Sequence, residues 1–311
     1  MAICNCSSTI GNLGLPGCEP EIGIIKRLIL VSLYKEDGTL NYVDTTATLD
    51  ATYFNGKQYN TDTYQRWYPL AKDLKNVETP KADPFYREFN DGSKEYVRDG
   101  IRQFMALVPN GFPKIVGKIK ASGCRKLGVY FVDDRGNLVG YEKVTGQLYP
   151  LELSNNTLNA FWSFATDSQN QQINLAFEFD SKLEDEYIAY IESSDMSIDL
   201  LREFNGKMDA NLSQVGTGTT TGFSAKLNLD YGNAKDKLAI SGLVAADFVL
   251  YNVTDSASVT ISTCVESPDG TYAFTFTAQT STDILRLSLS TSTNAKPFDD
   301  ATWSAVQITL Q

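Results

Sequence analysis

Three groups of residues in this chain have side chains that could do chemistry, and each also has a plainer reading. The N-terminal stretch MAICNCSSTIGNLGLPGC holds Cys4, Cys6 and Cys18, three of the five cysteines. Thiolates bind soft metals, and Cys124 in SGCRKLG would supply a fourth ligand. Structural zinc sites usually repeat a CxxC-type spacing, however, and a CxC followed by a lone cysteine does not match it. A lipid anchor needs an apolar segment ahead of the cysteine, and none precedes Cys4 or Cys6. The second group is acidic: Glu184, Asp185, Glu186, Glu192 and Asp195 lie in a run between Glu178 and Glu203 that contains only Lys182 and Arg202 as cations. A two-carboxylate hydrolase needs one such pair facing a cleft, with one pKa raised. The spacing selects no pair, so a solvated acidic face is the plainer reading. The third group is aromatic. Tyr64, Trp67, Tyr68, Phe85, Tyr86 and Phe89 crowd an irregular segment between residues 60 and 91. Such rings stack on sugars or bases, or are buried against another domain or subunit. The interface reading is preferred.

Composition narrows the chemistry further. The 311 residues contain no histidine, which removes Ser-His-Asp and Cys-His hydrolytic sites and most catalytic zinc and non-haem iron sites. An enzyme would have to work with carboxylates, Lys, Tyr or Cys alone, so the expectation is a non-enzymatic protein with no cofactor and no metal. With 27 Lys+Arg against 38 Asp+Glu, the net charge is −11, and such a surface repels phosphate backbones. No GxGxxG, Walker A, HExxH, EF-hand or GxSxG pattern occurs. No apolar run reaches the length of a membrane span, and the start of the chain lacks a basic and then apolar export signal, so no membrane partner is expected. An odd cysteine count leaves one thiol unpaired, which argues against a secreted disulfide scaffold.

These groups must be positioned by the rest of the chain, which reads as mainly β. Residues 1–21 form an extended arm punctuated by Gly and Pro, including Leu13 and Pro16. Strand-like runs follow at 23–34 and 41–55, with a turn at Glu36-Asp37-Gly38. DGSKEYVRDGIRQFMALVP predicts an amphipathic helix, with Ser93 as N-cap, Val97, Ile101, Phe104, Met105 and Val108 on one face, and Pro109-Asn110-Gly111 as its stop. Further strands are expected at 115–121, 126–133, 137–144 and 147–153. INLAFEFD (173–180) alternates cleanly, with YIAYIES (187–193) as its expected partner. Asp133, Asp134, Asp299 and Asp300 read as turn residues. The first domain would span 22–207, followed by a Gly/Thr-rich linker at 208–222. From 223 to 311, seven short alternating strands suggest a second β-sandwich, with Asp269-Gly270 at its clearest hairpin turn.

A helix-bearing β domain, a Gly/Thr linker and a C-terminal sandwich with the hairpin SPDGTYAFTF together resemble a tail-tube (major tail) protein of tailed bacteriophages. The hairpin resembles bacterial and phage Ig-like modules. The arm CNCSSTIGNLGLPGC is similar to the N-termini of virion proteins from Bacteroidetes-infecting phages, including crAss-like ones. The resemblance implies a barrel-like β-sandwich with one flanking helix, followed by an Ig-like domain. It implies a homo-oligomeric ring, six copies closing and rings stacking into a tube, located in the virion tail and assembled in the host cytoplasm. On that reading the arm, with Cys4, Cys6, Leu13, Pro16 and Cys18, docks on a neighbouring subunit. Tyr64, Trp67, Tyr68, Phe85 and Tyr86 lie at the subunit interface, and Glu184, Asp185, Glu186, Glu192 and Asp195 line an acidic lumen through which DNA passes unbound. A connector-ring or head-decoration protein, or a glycan- or receptor-binding surface module, are the other readings.

Overall fold

The computed structural model describes residues 21–60, 62–70, 72–232, 237–267, 270–290, 298–299 and 306–311. The N-terminal arm, Asp269 and Asp300 lie outside them. The protein is mainly β, and its strands build two sandwiches with separate hydrophobic cores.

The first sandwich runs β1 (Ile25–Ser32), β2 (Val43–Asp44), α1 (Ala51–Gln58), β3 (Trp67–Pro69), β4 (Lys75–Glu78), β5 (Phe85–Glu88), β6 (Lys94–Arg98), β7 (Gln103–Pro109) and α2 (Pro113–Ser122). It continues with β8 (Leu127–Asp133), β9 (Leu138–Val144), β10 (Gln147–Tyr149), β11 (Leu151–Glu152), β12 (Asn159–Ser163), β13 (Gln172–Glu178) and β14 (Ile188–Ile191). One sheet has the order β2-β10-β9-β8-β1-β3, with β11 paired to β8 and β14 to β9. Facing it is a four-stranded sheet, β12-β13-β7-β4. Phe104, Val108, Ile173 and Phe177 of the smaller sheet meet Leu28, Val129, Phe131 and Val139 of the larger. The other face of the larger sheet is covered too. Ile29, Val31, Tyr130 and Val132 pack under Phe54 of α1 and under Met196, Ile198, Leu200 and Phe204. Burial on both faces explains why every residue of LGVYFVD in β8 is buried and why that strand reads as a continuous apolar run.

The local readings fail where one spacing satisfies two periods. The helix expected from 94 to 108 is instead β6, a loop and β7. In β7, Phe104, Ala106 and Val108 alternate inward, and the i, i+4 match of Phe104 to Val108 is also an i, i+4 match along a strand. Ser93 caps no helix. Its N–H and hydroxyl both bond Asp91 Oδ1 (2.9 and 2.6 Å), closing the turn at Gly92, whose φ is +81°. Residues 115–121, expected as a strand, belong to α2, which starts on Pro113 at its first turn and turns Ile119 inward. In the run 41–55 only β2 is extended. Asp50 Oδ1 accepts from Tyr53 N (2.8 Å) and starts α1 there. β14 pairs with β9 rather than with β13, whose partners are β12 and β7.

The second sandwich comprises β15 (Met208–Thr219), β16 (Gly222–Gly232), β17 (Lys237–Ala239), β18 (Phe248–Asn252), β19 (Ala257–Val259), β20 (Ile261–Ser267), β21 (Thr271–Phe276), β22 (Ile284–Leu289), β23 (Phe298–Asp299) and β24 (Val306–Thr309). Its sheets are β20-β21-β16-β15-β23, with β17 on β16, and β19-β18-β22-β24. The stretch 208–222 is no linker. It forms β15, paired with β16 from Ala210 to Thr219, because Ala210 and Leu212 alternate inward among its polar residues.

Candidate functional site

The structure joins one member of the acidic group, Asp185, to the root of an aromatic hairpin. Between β4 and β7 the chain leaves the sandwich as a two-stranded hairpin, β5 paired with β6, and every residue from Glu78 to Asp99 is exposed. Phe85 (57% exposed), Tyr86, Phe89, Tyr96 and Val97 all lie on this hairpin, with Tyr86 and Tyr96 edge to face at 5.9 Å. An isolated two-stranded hairpin is marginal in water, and it cannot bury its own rings. At its root, Ala82 N donates to Ile101 O (3.0 Å) and Gln103 N to Pro80 O (2.8 Å). Gly100 lies so close to Ala82 that a Cβ there would come within 1.6 Å of Ala82 O.

Asp185 belongs to this root. Its carboxylate takes Arg102 at 2.9 Å and Lys81 at 3.6 Å, the two residues that bridge the strands leaving the sandwich. Glu184, Glu186, Glu192 and Asp195 are also exposed, in the turns on either side of β14. Glu186 bonds the Tyr187 hydroxyl and holds its pKa above the usual phenol value. The acidic run is therefore a ridge at the margin of the larger sheet, and one member of it is an ion-paired strut under the hairpin.

The aromatic group divides. Tyr64, beneath the Arg125 guanidinium at 4.5 Å, and Tyr68 are exposed on the first sandwich. Trp67 is not at the surface at all. It is 3% exposed, stacked on Tyr130 at 4.8 Å and edge-on to Phe54 and Phe204. Alternation along β3 decides this: Trp67 and Pro69 face inward and Tyr68 outward. Phe89, Tyr96 and Val97 complete the hairpin surface. The missed signal was Asp91-Gly92 between FYREF and KEYVR, a hairpin turn flanked by aromatic and β-branched residues.

The cysteine arm lies outside the described residues. Cys124, the proposed fourth thiol, is exposed at the end of α2, and no group of three or more metal-type side chains is found among the described residues. None of the helices among them is long and apolar enough to cross a membrane. No protein-family model, curated protein or solved structure matches the chain.

A polar cluster joins α2 to the second sandwich. Lys114 and Lys118, one turn apart, pair with Asp230 and Asp209, and Lys118 also lies 3.7 Å from Asp230. Asn211 Nδ2 donates to Asp230 (2.9 Å), and Tyr231 packs on Phe112 with the Lys118 ammonium over its ring. Burial opposes charge on Asp230, but hydrogen bonds from Lys114 and Asn211 outweigh it and hold its pKa below the ordinary 3.8. Burial likewise opposes charge on Lys118, but the bond to Asp209 together with the charges of Tyr231, Asp209 and Asp230 outweighs it and raises its pKa above 10.5. Asp230 therefore contributes stability at neutral pH that is lost as pH falls below 3.8 and through its folded pKa. The Lys118 contribution is complete below 10.5 and lost as pH rises beyond it. Protection of the α2 amides, taken relative to the intrinsic exchange rate at each pH, is expected to fall at both extremes and with added salt, and Lys118→Met should remove the alkaline step.

Proposed function

We propose that this chain is a non-enzymatic structural subunit that assembles with copies of itself, most specifically as the tail-tube protein of a tailed phage. The observation that carries this reading is the hairpin from Glu78 to Asp99, an aromatic element that leaves its own core and exposes every residue. Exposed aromatic clusters of this kind mark protein interfaces. From Lys81 to Asp99 it carries four cations and five anions, near balance in a chain of net charge −11, so it adds little to the repulsion between two acidic copies. A hairpin that docks on a different surface of its neighbour makes a heterologous contact, the kind that closes rings.

On this reading the arm with Cys4, Cys6 and Cys18 also lies against a neighbour, the subunits form stacked rings in the virion tail, and assembly takes place in the host cytoplasm. The exposed ridge of Glu184, Glu186, Glu192 and Asp195 would suit a lumen that repels passing DNA. A connector ring or a head-decoration protein uses the same contacts. Negative-stain images of the full chain are expected to contain rings or tubes. Replacing Ala82–Asp99 by a short Gly-Ser link should leave a folded chain that forms neither rings nor tubes. Monomers alone across salt and concentration would reject the assembly reading. A monomer that binds polysaccharide through Phe85 and Tyr86 would favour a surface-binding module instead.

A further inference from the structure

The second sandwich has an edge strand, β20, that no further strand pairs with among the described residues, although the turn at Ala245–Asp247 packs against it and Gly242 N donates to Glu266 Oε2 (2.8 Å). In the sheet β20-β21-β16-β15-β23, β15 is flanked by β23, whereas the outer side of β20 has no partner strand. Which backbone groups lie open there follows from alternation. Phe276 N donates to Thr221 O, so Phe276, Phe274 and Tyr272 turn their amides toward β16, and Thr275, Ala273 and Thr271 turn theirs toward β20. These three pair with Thr263, Val265 and Ser267. The N–H and C=O of Cys264 and Glu266 therefore point outward. Natural edges are usually blunted by lysine, proline or a bulge. Here the bulge lies only at the start, between Ile261 and Thr263, and the seven residues ISTCVES contain neither Lys nor Pro. The longest apolar side chain beyond the bulge, Val265, is 60% exposed.

We propose that β20 pairs antiparallel with β20 of a second copy about a dyad at Cys264, joining two C-terminal sandwiches through one continuous sheet. The strand is self-complementary in this register. Cys264 meets its own copy as a hydrogen-bonded pair, and each Val265 lies across from Thr263 of the second copy, a β-branched pair of the kind that stabilises sheets. Glu266, the only charged residue of the strand, lies across from Ser262, so the two glutamates sit at opposite ends and oppose no like charge. The contact is isologous and uses the C-terminal sandwich, whereas the ring reading uses the hairpin of the first. Neighbours within one polar ring are not related by dyads, so this contact joins subunits of different rings and stands independently of that reading.

Paired Cα atoms about 5.5 Å apart fall within the span of a disulfide, which makes Cys264 a reporter. Its thiol pKa is raised, by burial first and then by Asp247 and Glu266, so an added oxidant is needed to capture the pair. The test uses the full chain with Cys4, Cys6, Cys18 and Cys124 changed to Ser, and the same chain with Ala82–Asp99 replaced by Gly-Ser. Copper–phenanthroline accepts the two electrons as two thiols lose their protons and join. A covalent dimer is expected in both chains, lost on Val265→Lys and retained on Val265→Thr. Sedimentation equilibrium of the reduced hairpin-less chain should show a concentration-dependent dimer that Val265→Lys converts to monomer, with its thermal unfolding unchanged. A monomer at every concentration, or a cross-link indifferent to Val265→Lys, would overturn the proposal.

Discussion

Trp67→Ala is expected to destabilise the first sandwich by about 3–5 kcal/mol, while Tyr68→Ala, one residue along the same strand, changes stability by less than about 1 kcal/mol. The two rings differ in which face of β3 they occupy. Trp67 fills the layer between the larger sheet and its covering segment, stacked on Tyr130 and edge-on to Phe54 and Phe204. Removing the indole leaves a cavity lined by those three rings. They sit on a strand, a helix and the segment after β14, and cannot all close in without moving those elements. Tyr68 is 48% exposed, so its truncation opens no enclosed cavity. Urea unfolding of the two variants checks this through their midpoints at constant slope. Equal, small effects would return Trp67 to the surface group with Tyr64, Tyr68, Phe85 and Tyr86.

Asp133→Ala should cost a similar amount, about 3–5 kcal/mol, from a different source. The carboxylate is 0% exposed and accepts four hydrogen bonds, all at 2.9 Å: from Gly23 N, Arg135 N, Asn137 N and Asn137 Nδ2. Alanine leaves both Asn137 donors unpaired in a buried site and frees the partly buried amides of Gly23 and Arg135 at its margin. Asparagine keeps one acceptor oxygen but sets its own N–H groups against donors, so Asp133→Asn should also destabilise, by about 2 kcal/mol or more. The effect reaches the start of the chain. Asp133 and Asp134 hold the amides of Gly23 and Ile24, and a Cβ on Gly23 would come within 2.0 Å of Asp134 Oδ1. The root of the N-terminal arm is thus fixed by a turn 110 residues away. Proteolysis near Glu21–Ile24 should quicken in both variants relative to the rest of the sandwich. Unchanged cleavage there would disconnect the carboxylate from the arm.

Much of the architecture could be read from local pattern because it rests on local chemistry. Turn glycines at 38, 136 and 146 have φ near +80°, where the residue types placed them. Alternation in β13 and β21, and the short strands after residue 223, appear as expected because each has one buried face. Asp133 was legible as a turn residue, since it closes the β8–β9 turn through Arg135 and Asn137. Its grip on Gly23 was not, because nothing near residue 133 in sequence announces a partner 110 positions earlier.

A mainly β protein without histidine chemistry, acidic overall and with a dense aromatic run between residues 60 and 91, can be read from the amino acids alone. Those properties follow from composition and from turn chemistry, which act over a few residues. Tertiary structure alone decided which of those aromatic residues meet water. Trp67 and Tyr68 are equally apolar to a local reading and are separated only by the pleat. It decided that Phe104 alternates in a strand instead of lining a helix, because Phe131 of the facing sheet and Phe177 of the neighbouring strand β13 give it rings to stack on. It also turned the Gly/Thr stretch after Lys207 into a strand, since β16 alongside supplies the hydrogen bonds that its small side chains do not demand. The hairpin from Glu78 to Asp99 and the open edge at Cys264 belong to the same class. Exposure depends on the absence of a neighbour, and only the packed molecule shows where neighbours end.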